Sequence, residues 1–174
     1  AIVVGINHAG AKRLDEYMPW VNDQYGGGAG KAFADFMVQT LKPYVDSVYR
    51  TMPDRANTIV AGSSLGGLMS LYIVLHYNEV FAKACVFSPS FFINPEINDF
   101  TRQTAFTGSS KIYFYMGGME AEEMVEDMYR IYNIVSVKEN SGNDFRFVVD
   151  YNKTHTEAAW RYELPLAIKW LMEK

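Results

Sequence analysis

The chain has 174 residues, 49% of them apolar and 21% charged, which is enough to bury one substantial core and far from a disordered composition. Its net charge of −4 lays out no basic face, and this argues against nucleic acid and anionic membrane as partners. The longest apolar runs are too short to cross a bilayer, no basic-then-apolar leader opens the chain, and the single cysteine, Cys85, excludes an internal disulfide and reads as a core residue.

In chain order, Ala1-Ile2-Val3-Val4-Gly5-Ile6 reads as a buried strand that starts abruptly, on Ala rather than Met, like a cut edge. Gly26-Gly27-Gly28-Ala29-Gly30-Lys31 then invites comparison with a phosphate loop. It fails twice, because Tyr25 stands where the first glycine is needed and Ala32 where a hydroxyl would hold magnesium. The dinucleotide pattern fails as well, since neither Lys31 nor Phe33 supplies its third glycine. What remains is a flexible lead into a helix. That helix is predicted over residues 31–48, with Phe33, Phe36, Met37, Leu41, Tyr44, Val45 and Val48 on one face and a bend at Pro43.

Short β-branched or aromatic runs predict further strands at residues 57–62, 83–88, 111–116 and 145–151. Between them lie a helix after Ser64, a short or irregular helix within 95–106, and a long helix from Glu120 marked by Met124, Met128, Ile131, Tyr132 and Val135. A last helix over 156–172 carries Ala159, Tyr162, Leu166 and Trp170, with Pro165 as a second bend. Strands alternating with helices predict an α/β fold, a mostly parallel sheet flanked by helices in a single domain over 1–174. Sites in such sheets form beyond the carboxyl ends of the strands, so the polar residues just after each strand are the candidates.

The most informative of these junctions is Thr58-Ile59-Val60-Ala61-Gly62-Ser63-Ser64-Leu65-Gly66-Gly67, where a strand runs into Gly-x-Ser-x-Gly and an apolar helical pattern follows without a gap. A chain that turns from strand to helix within one residue forces that residue into a strained conformation with positive φ. Gly62 and Gly66 then stand where strand and helix approach most closely, and Ser64 Oγ is left exposed as a candidate nucleophile. The N–H of Leu65, at the start of the helix, is aimed where an oxyanion could form.

No two of the three histidines are spaced as metal ligands, so no metal site is expected. His76 closes the helix after Ser64, where an imidazole complements the helix dipole, and His8 follows the first strand without a partner. His155 lies immediately after the last strand and before the last helix, where a general base for a serine belongs. The acid that orients it should come between them in sequence, after a neighbouring strand, and Gly117-Gly118-Met119-Glu120 makes Glu120 the candidate. Glu122, Glu123 and Asp150 stay as alternatives, because carboxylates crowd a helix start where they are favourable anyway. Tyr17, Trp20, Phe91, Phe92 and Trp160 are expected to converge on the same mouth, as an aromatic wall suited to an acyl or aryl ester.

Glu16-Tyr17-x-Pro19-Trp20, the glycines of 26–30, Leu41-Lys42-Pro43, Tyr49-Arg50-Thr51, Asp54-Arg55, Gly62-Ser63-Ser64-Leu65-Gly66-Gly67, Ser88-Pro89-Ser90-Phe91 and His155-x-Glu157-x-x-Trp160 form an ordered set of blocks over nearly the whole chain. In these the sequence resembles the Putative esterase (esterase D) family of α/β-hydrolases, whose relatives include siderophore trilactone esterases and carbohydrate esterase family 1. The resemblance implies serine esterase chemistry on a small-molecule ester, with Ser64 as nucleophile, His155 as base and no cofactor. Members of that family carry further strands ahead of the one corresponding to residues 1–6, and one of these leads into a loop that donates a second oxyanion N–H. By the resemblance, residues 1–174 are expected to be the C-terminal part of a longer domain, with a gap of about two strand spacings, near 10 Å, between residues 1–6 and 57–62. Such a gap is expected to close, by direct pairing of the two runs or by a strand from another molecule. Acyl transfer to an alcohol, or a non-catalytic fragment that keeps the fold, are the alternatives to hydrolysis.

Overall fold

The computed structural model describes residues 1–138 and 142–173. After α1 (Arg13–Tyr17) comes a short antiparallel ribbon, β1 (Val21–Asn22) with β2 (Gly26–Gly27), and then a long helix in three parts: α2 (Gly30–Phe36), a π turn at Met37–Leu41, and α3 (Lys42–Val48). The alternating part follows as β3 (Ile59–Ser63), α4 (Leu65–His76), β4 (Lys83–Phe87), α5 (Ile97–Gln103), β5 (Lys111–Gly117), α6 (Glu122–Ser136), β6 (Asp144–Asp150) and α7 (Glu157–Met172).

The four longer strands form one parallel sheet in the order β3-β4-β5-β6. Their starts are in line, Ile59 beside Lys83, Lys83 beside Lys111 and Lys111 beside Asp144, so their carboxyl ends form one rim. Period-two alternation divides the core between the two faces. Ala84, Val86, Ile112, Phe114 and Met116 pack with α4 and with Met128, Ile131 and Val135 of α6. Cys85, Phe87, Tyr113 and Tyr115 face Ala159, Ala167, Trp170 and Leu171 of α7. Strands covered on both faces read as near-continuous apolar runs, and β4 and β5 do so. Helix α4 is buried on nearly every side, from Leu65 to Leu75, because α1 and the 18–20 segment cover what the sheet does not.

Three expectations are corrected here. Residues 1–6 form no strand: Ile2, Val3 and Val4 stand 50%, 90% and 45% exposed. A strand gains its hydrogen bonds only from a neighbour, and β3, which among the described residues pairs only with β4, is instead an edge of the sheet. Direct pairing with residues 1–6 does not close the gap beside it, and Val4, Ile6, Phe33, Ala61 and Met69 are among the residues that line a groove of about 240 Å³ there. Second, the glycine cluster is not a flexible lead: Gly26 and Gly27 form β2, paired with β1 across the turn at 23–25, and Gly28 leads on from it. Gly26, Gly27 and Gly28 all take positive φ, and a Cβ on Gly27 would lie 2.7 Å from that of the buried Met18. Third, the helix predicted over 31–48 is not one continuous α-helix: a π turn divides it just ahead of Pro43, whose ring lacks an N–H and crowds the carbonyl four residues earlier, whereas α7 continues through Pro165. No helix among the described residues is long and apolar enough to cross a membrane.

Candidate active site

Ser64 occupies the single residue between β3 and α4, at φ 59° and ψ −123°, a conformation that L-residues with a side chain seldom hold. The surroundings fix it there: its N–H donates to Phe87 O at 3.0 Å, and its carbonyl accepts from Gly67 N at 3.0 Å and Ser90 N at 3.2 Å. A Cβ on Gly62 would come within 2.3 Å of Gly66 O, so strand and helix can cross this closely only over a glycine. Leu65 opens α4, so its N–H has no acceptor within the helix. Among the described residues the partner of Ser64 Oγ is Ser90 Oγ, at 3.2 Å, rather than His155.

His155 rides on the loop from β6 to α7, whose helix is capped by Thr156 through a bond to Ala159 N. That loop is laced to the one after β5, since Gly118 N donates to Asp150 O at 2.8 Å and Met119 N to Lys153 O at 3.0 Å. The lacing carries His155 to Glu120, with Nδ1 2.8 Å from Oε2. The Glu120 side chain is wholly shielded from solvent, whereas that of His155 is 34% exposed. Glu120 Oε1 accepts from Gly117 N at 2.8 Å and from Ser88 Oγ at 2.6 Å. As a carboxylate Glu120 can only accept, so the ring hydrogen is assigned to Nδ1 and the lone pair of the imidazole to Nε2. The other carboxylates considered do not share this arrangement. Glu122 and Glu123 are exposed in the first turn of α6, and Asp150 accepts from Asn152 N within its own turn.

The aromatic residues do not form one wall. Phe91 is 1% exposed in the core and offers no surface to a substrate, and Trp20 packs edge-on against Tyr72 and Phe100 at 5.5 and 5.6 Å. Tyr17 lies against Phe33, and Phe92 is half exposed. Only Trp160 touches the candidate machinery, standing edge-on to the His155 ring at 4.9 Å and donating Nε1–H to Ser88 Oγ at 2.8 Å. An aromatic content of 15% made a wall easy to draw from sequence, but most of those rings fill the core. Ser88 and Ser90 were not singled out by chemistry beforehand; Ser-Pro-Ser after a strand carries no spacing rule that would reveal a role. His76 stacks on Tyr72 at 5.2 Å, and His8 Nδ1 accepts from Gly10 N. Among the described residues no three His, Cys, Asp or Glu side chains converge as a metal site would need.

The model of a family described as Putative esterase matches residues 1–171. An uncharacterized protein of Bacillus subtilis, YbbA, is 20% identical over 186 residues, which cover 99% of this chain and 74% of that one. In solved structures, the BES protein of Bacillus cereus superposes with a TM-score of 0.81 at 18% identity, covering 95% of this chain and 65% of the other. An IroE-like serine hydrolase of Shewanella oneidensis gives 0.75 at 18% identity, over 91% of this chain and 56% of the other. These likenesses establish an α/β-hydrolase fold, and the chain spans about two thirds of the first of the two solved chains and just over half of the second.

Proposed function

Because the chain belongs to the Putative esterase family, we propose that it hydrolyses carboxylic esters through an acyl-enzyme formed on Ser64. The observation that carries the mechanism is the buried Glu120 carboxylate, fastened at Oε1 and turned through Oε2 to His155 Nδ1 at 2.8 Å. In this reading Ser64 Oγ exchanges its Ser90 partner for His155 Nε2, gives its proton to that nitrogen and attacks the ester carbonyl. Glu120 holds the ring in the tautomer that leaves Nε2 free and stabilises the imidazolium that forms. The N–H of Leu65 receives the developing oxyanion. His155 then delivers the proton to the departing alcohol, and a water activated by the same nitrogen releases the acid.

In this reading the substrate surface falls to Phe92, half exposed beyond β4, and to Trp160, partly exposed beside His155. We also place residues 1–174 within a longer esterase domain, since the edge of β3 and the groove beside it leave backbone groups that a further strand would satisfy.

The test is stoichiometric labelling by a fluorophosphonate together with p-nitrophenyl acetate turnover. Labelling at Ser64, and loss of both signals in Ser64→Ala and His155→Ala with stability held within about 1 kcal/mol, is the expected result. Near wild-type turnover in either variant would overturn the assignment, and a chain that neither labels nor turns over would be a non-catalytic relative.

A further inference from the structure

We infer that Ser88 is a positioning residue for the Glu120–His155 pair, an inference that deepens the esterase reading and rests on it for its catalytic meaning. Ser88 follows β4 directly, is completely buried, and holds φ 42°, the only non-glycine positive φ besides that of Ser64 among the described residues. Its N–H continues the sheet by donating to Tyr115 O at 2.7 Å, so the backbone is held in this conformation by β5. Glycine would accept the same φ without strain. A side chain retained where glycine is easier points to a use for its hydroxyl.

The hydroxyl has two partners, and their chemistry fixes the direction of both bonds. The Trp160 indole N–H can only donate, so at 2.8 Å Ser88 Oγ accepts from it. The single hydroxyl hydrogen is then free for Glu120 Oε1, 2.6 Å away, which as a carboxylate can only accept. Oε2 of the same carboxylate faces His155 Nδ1, and the His155 ring in turn stands edge-on to Trp160 at 4.9 Å and 88°. The contacts close a ring: Trp160 to Ser88, Ser88 to Glu120, Glu120 to His155, and His155 back to Trp160. Gly117 N–H also holds Oε1, but one bond leaves a carboxylate free to swing about it. With Ser88 the carboxylate is held from two directions and its free oxygen is aimed. The tautomer and the tilt of His155 are therefore set from β4, a strand that supplies neither the acid nor the base.

The experiment uses the whole chain with Ser88→Ala and Ser88→Gly, which both delete the hydroxyl while the second also relieves the backbone. The first readout is the solvent exchange rate of the His155 Nδ1 proton by NMR, and the second is kcat/KM for p-nitrophenyl acetate. Both variants are expected to speed that exchange about tenfold or more and to lower kcat/KM about 10- to 100-fold, the range for losing a hydrogen bond to a charged group. In a Glu120→Gln background, removing Ser88 should change kcat/KM by less than about twofold, because its effect runs through the carboxylate. An unchanged Nδ1 exchange rate in the variant that folds would overturn the inference, and so would an equal loss of kcat/KM with and without Glu120. Should the unaltered chain turn over no ester, the esterase reading fails, and the proton measurement alone decides whether Ser88 positions the pair.

Discussion

Gly117→Ala tests whether the loops after β5 and β6 are locked together closely enough for the chemistry proposed. A Cβ at residue 117 would sit 2.5 Å from Lys153 O, 2.8 Å from Lys153 C and 2.9 Å from Glu120 Oε1. Ordinary contact begins near 3.5 Å, so the shortfall against backbone is about 1 Å. Lys153 cannot turn away, because its carbonyl accepts from Met119 N and its N–H donates to Asp150 O. The strain must pass into the loop that ends at His155 and into the Glu120 carboxylate, which is also bonded to Gly117 N. Overpacking of this kind costs about 1–3 kcal/mol, or roughly 2–12 °C in Tm for a chain of this size. A displacement near 1 Å in the base costs about 10²-fold in rate. The assay is kcat/KM for p-nitrophenyl acetate beside thermal unfolding, with Gly5→Ala as a control, since nothing lies within 4 Å of a Cβ there. We expect the folded Gly117→Ala chain to lose about a hundredfold in kcat/KM and the control to lose nothing. Wild-type kcat/KM in Gly117→Ala would refute the reasoning, because the clash would then have been absorbed without moving either residue.

Glu120→Gln should lower kcat far more than Glu122→Gln or Glu123→Gln, which alter exposed side chains; equal effects in a steady-state assay would mean that another carboxylate orients His155. Burial pushes the Cys85 thiol up to about 12, and the Tyr115 hydroxyl is pushed up to about 12 by burial and then by nearby carboxylates. Unfolded, these groups ionise near pH 8.5 and 10, so their contribution to stability is complete below those values and is lost as pH rises toward 12, which urea midpoints between pH 8 and 11 would show. Native Cys85 should resist a thiol reagent at pH 8 and react fully in denaturant, and rapid native labelling would contradict its burial. A chain extended at its N terminus should turn over about 10²- to 10³-fold faster, the usual worth of one oxyanion donor, and equal kcat would argue that Leu65 N–H suffices or that the donor lies elsewhere.

The sheet was legible because β4 and β5 are covered on both faces and so carry unbroken apolar runs, each predicted within about a residue of its bounds in the structure. Ser64 was legible because the strand-turn-helix junction puts a steric demand on its sequence, met at Gly62, where a Cβ would strike the backbone of Gly66; Gly66 itself answers no such demand, since nothing lies within 4 Å of a Cβ there. Glu120 and His155 were legible as candidates through topology, since a parallel sheet with aligned starts places every strand exit on one rim. The ribbon at 21–27 was missed, because its second strand is built of positive-φ glycines, with Gly27 packed on Met18, and a glycine cluster read locally looks only flexible. The aromatic wall failed for a related reason: the space between Tyr72 of α4 and Phe100 of α5 that takes Trp20, and the core that takes Phe91, are known only once the helices are placed.

Residues 1–6 show where a strong local signal has no power alone. Ile2, Val3, Val4 and Ile6 carry the β-branched composition of a buried strand, but each backbone group they would pair must find its partner elsewhere, and β3 stands across a groove rather than at hydrogen-bond distance. Ser88 shows the converse. Its local sequence has no signal, and its partners lie 32 and 72 residues away, so only the assembled rim reveals them. The two cases share one cause, which is that pairing across strands is a property of the sheet and not of any run within it. For the candidate site this means that the geometry is held jointly by the exits of β3, β4, β5 and β6: Ser90 on Ser64, Ser88 on Glu120, the Gly118 and Met119 amides on the loop to His155. A change at any one exit is then felt at the others, and that is why single-atom changes at Gly117 and Ser88, neither of which touches a substrate, are the sharpest probes of the chemistry.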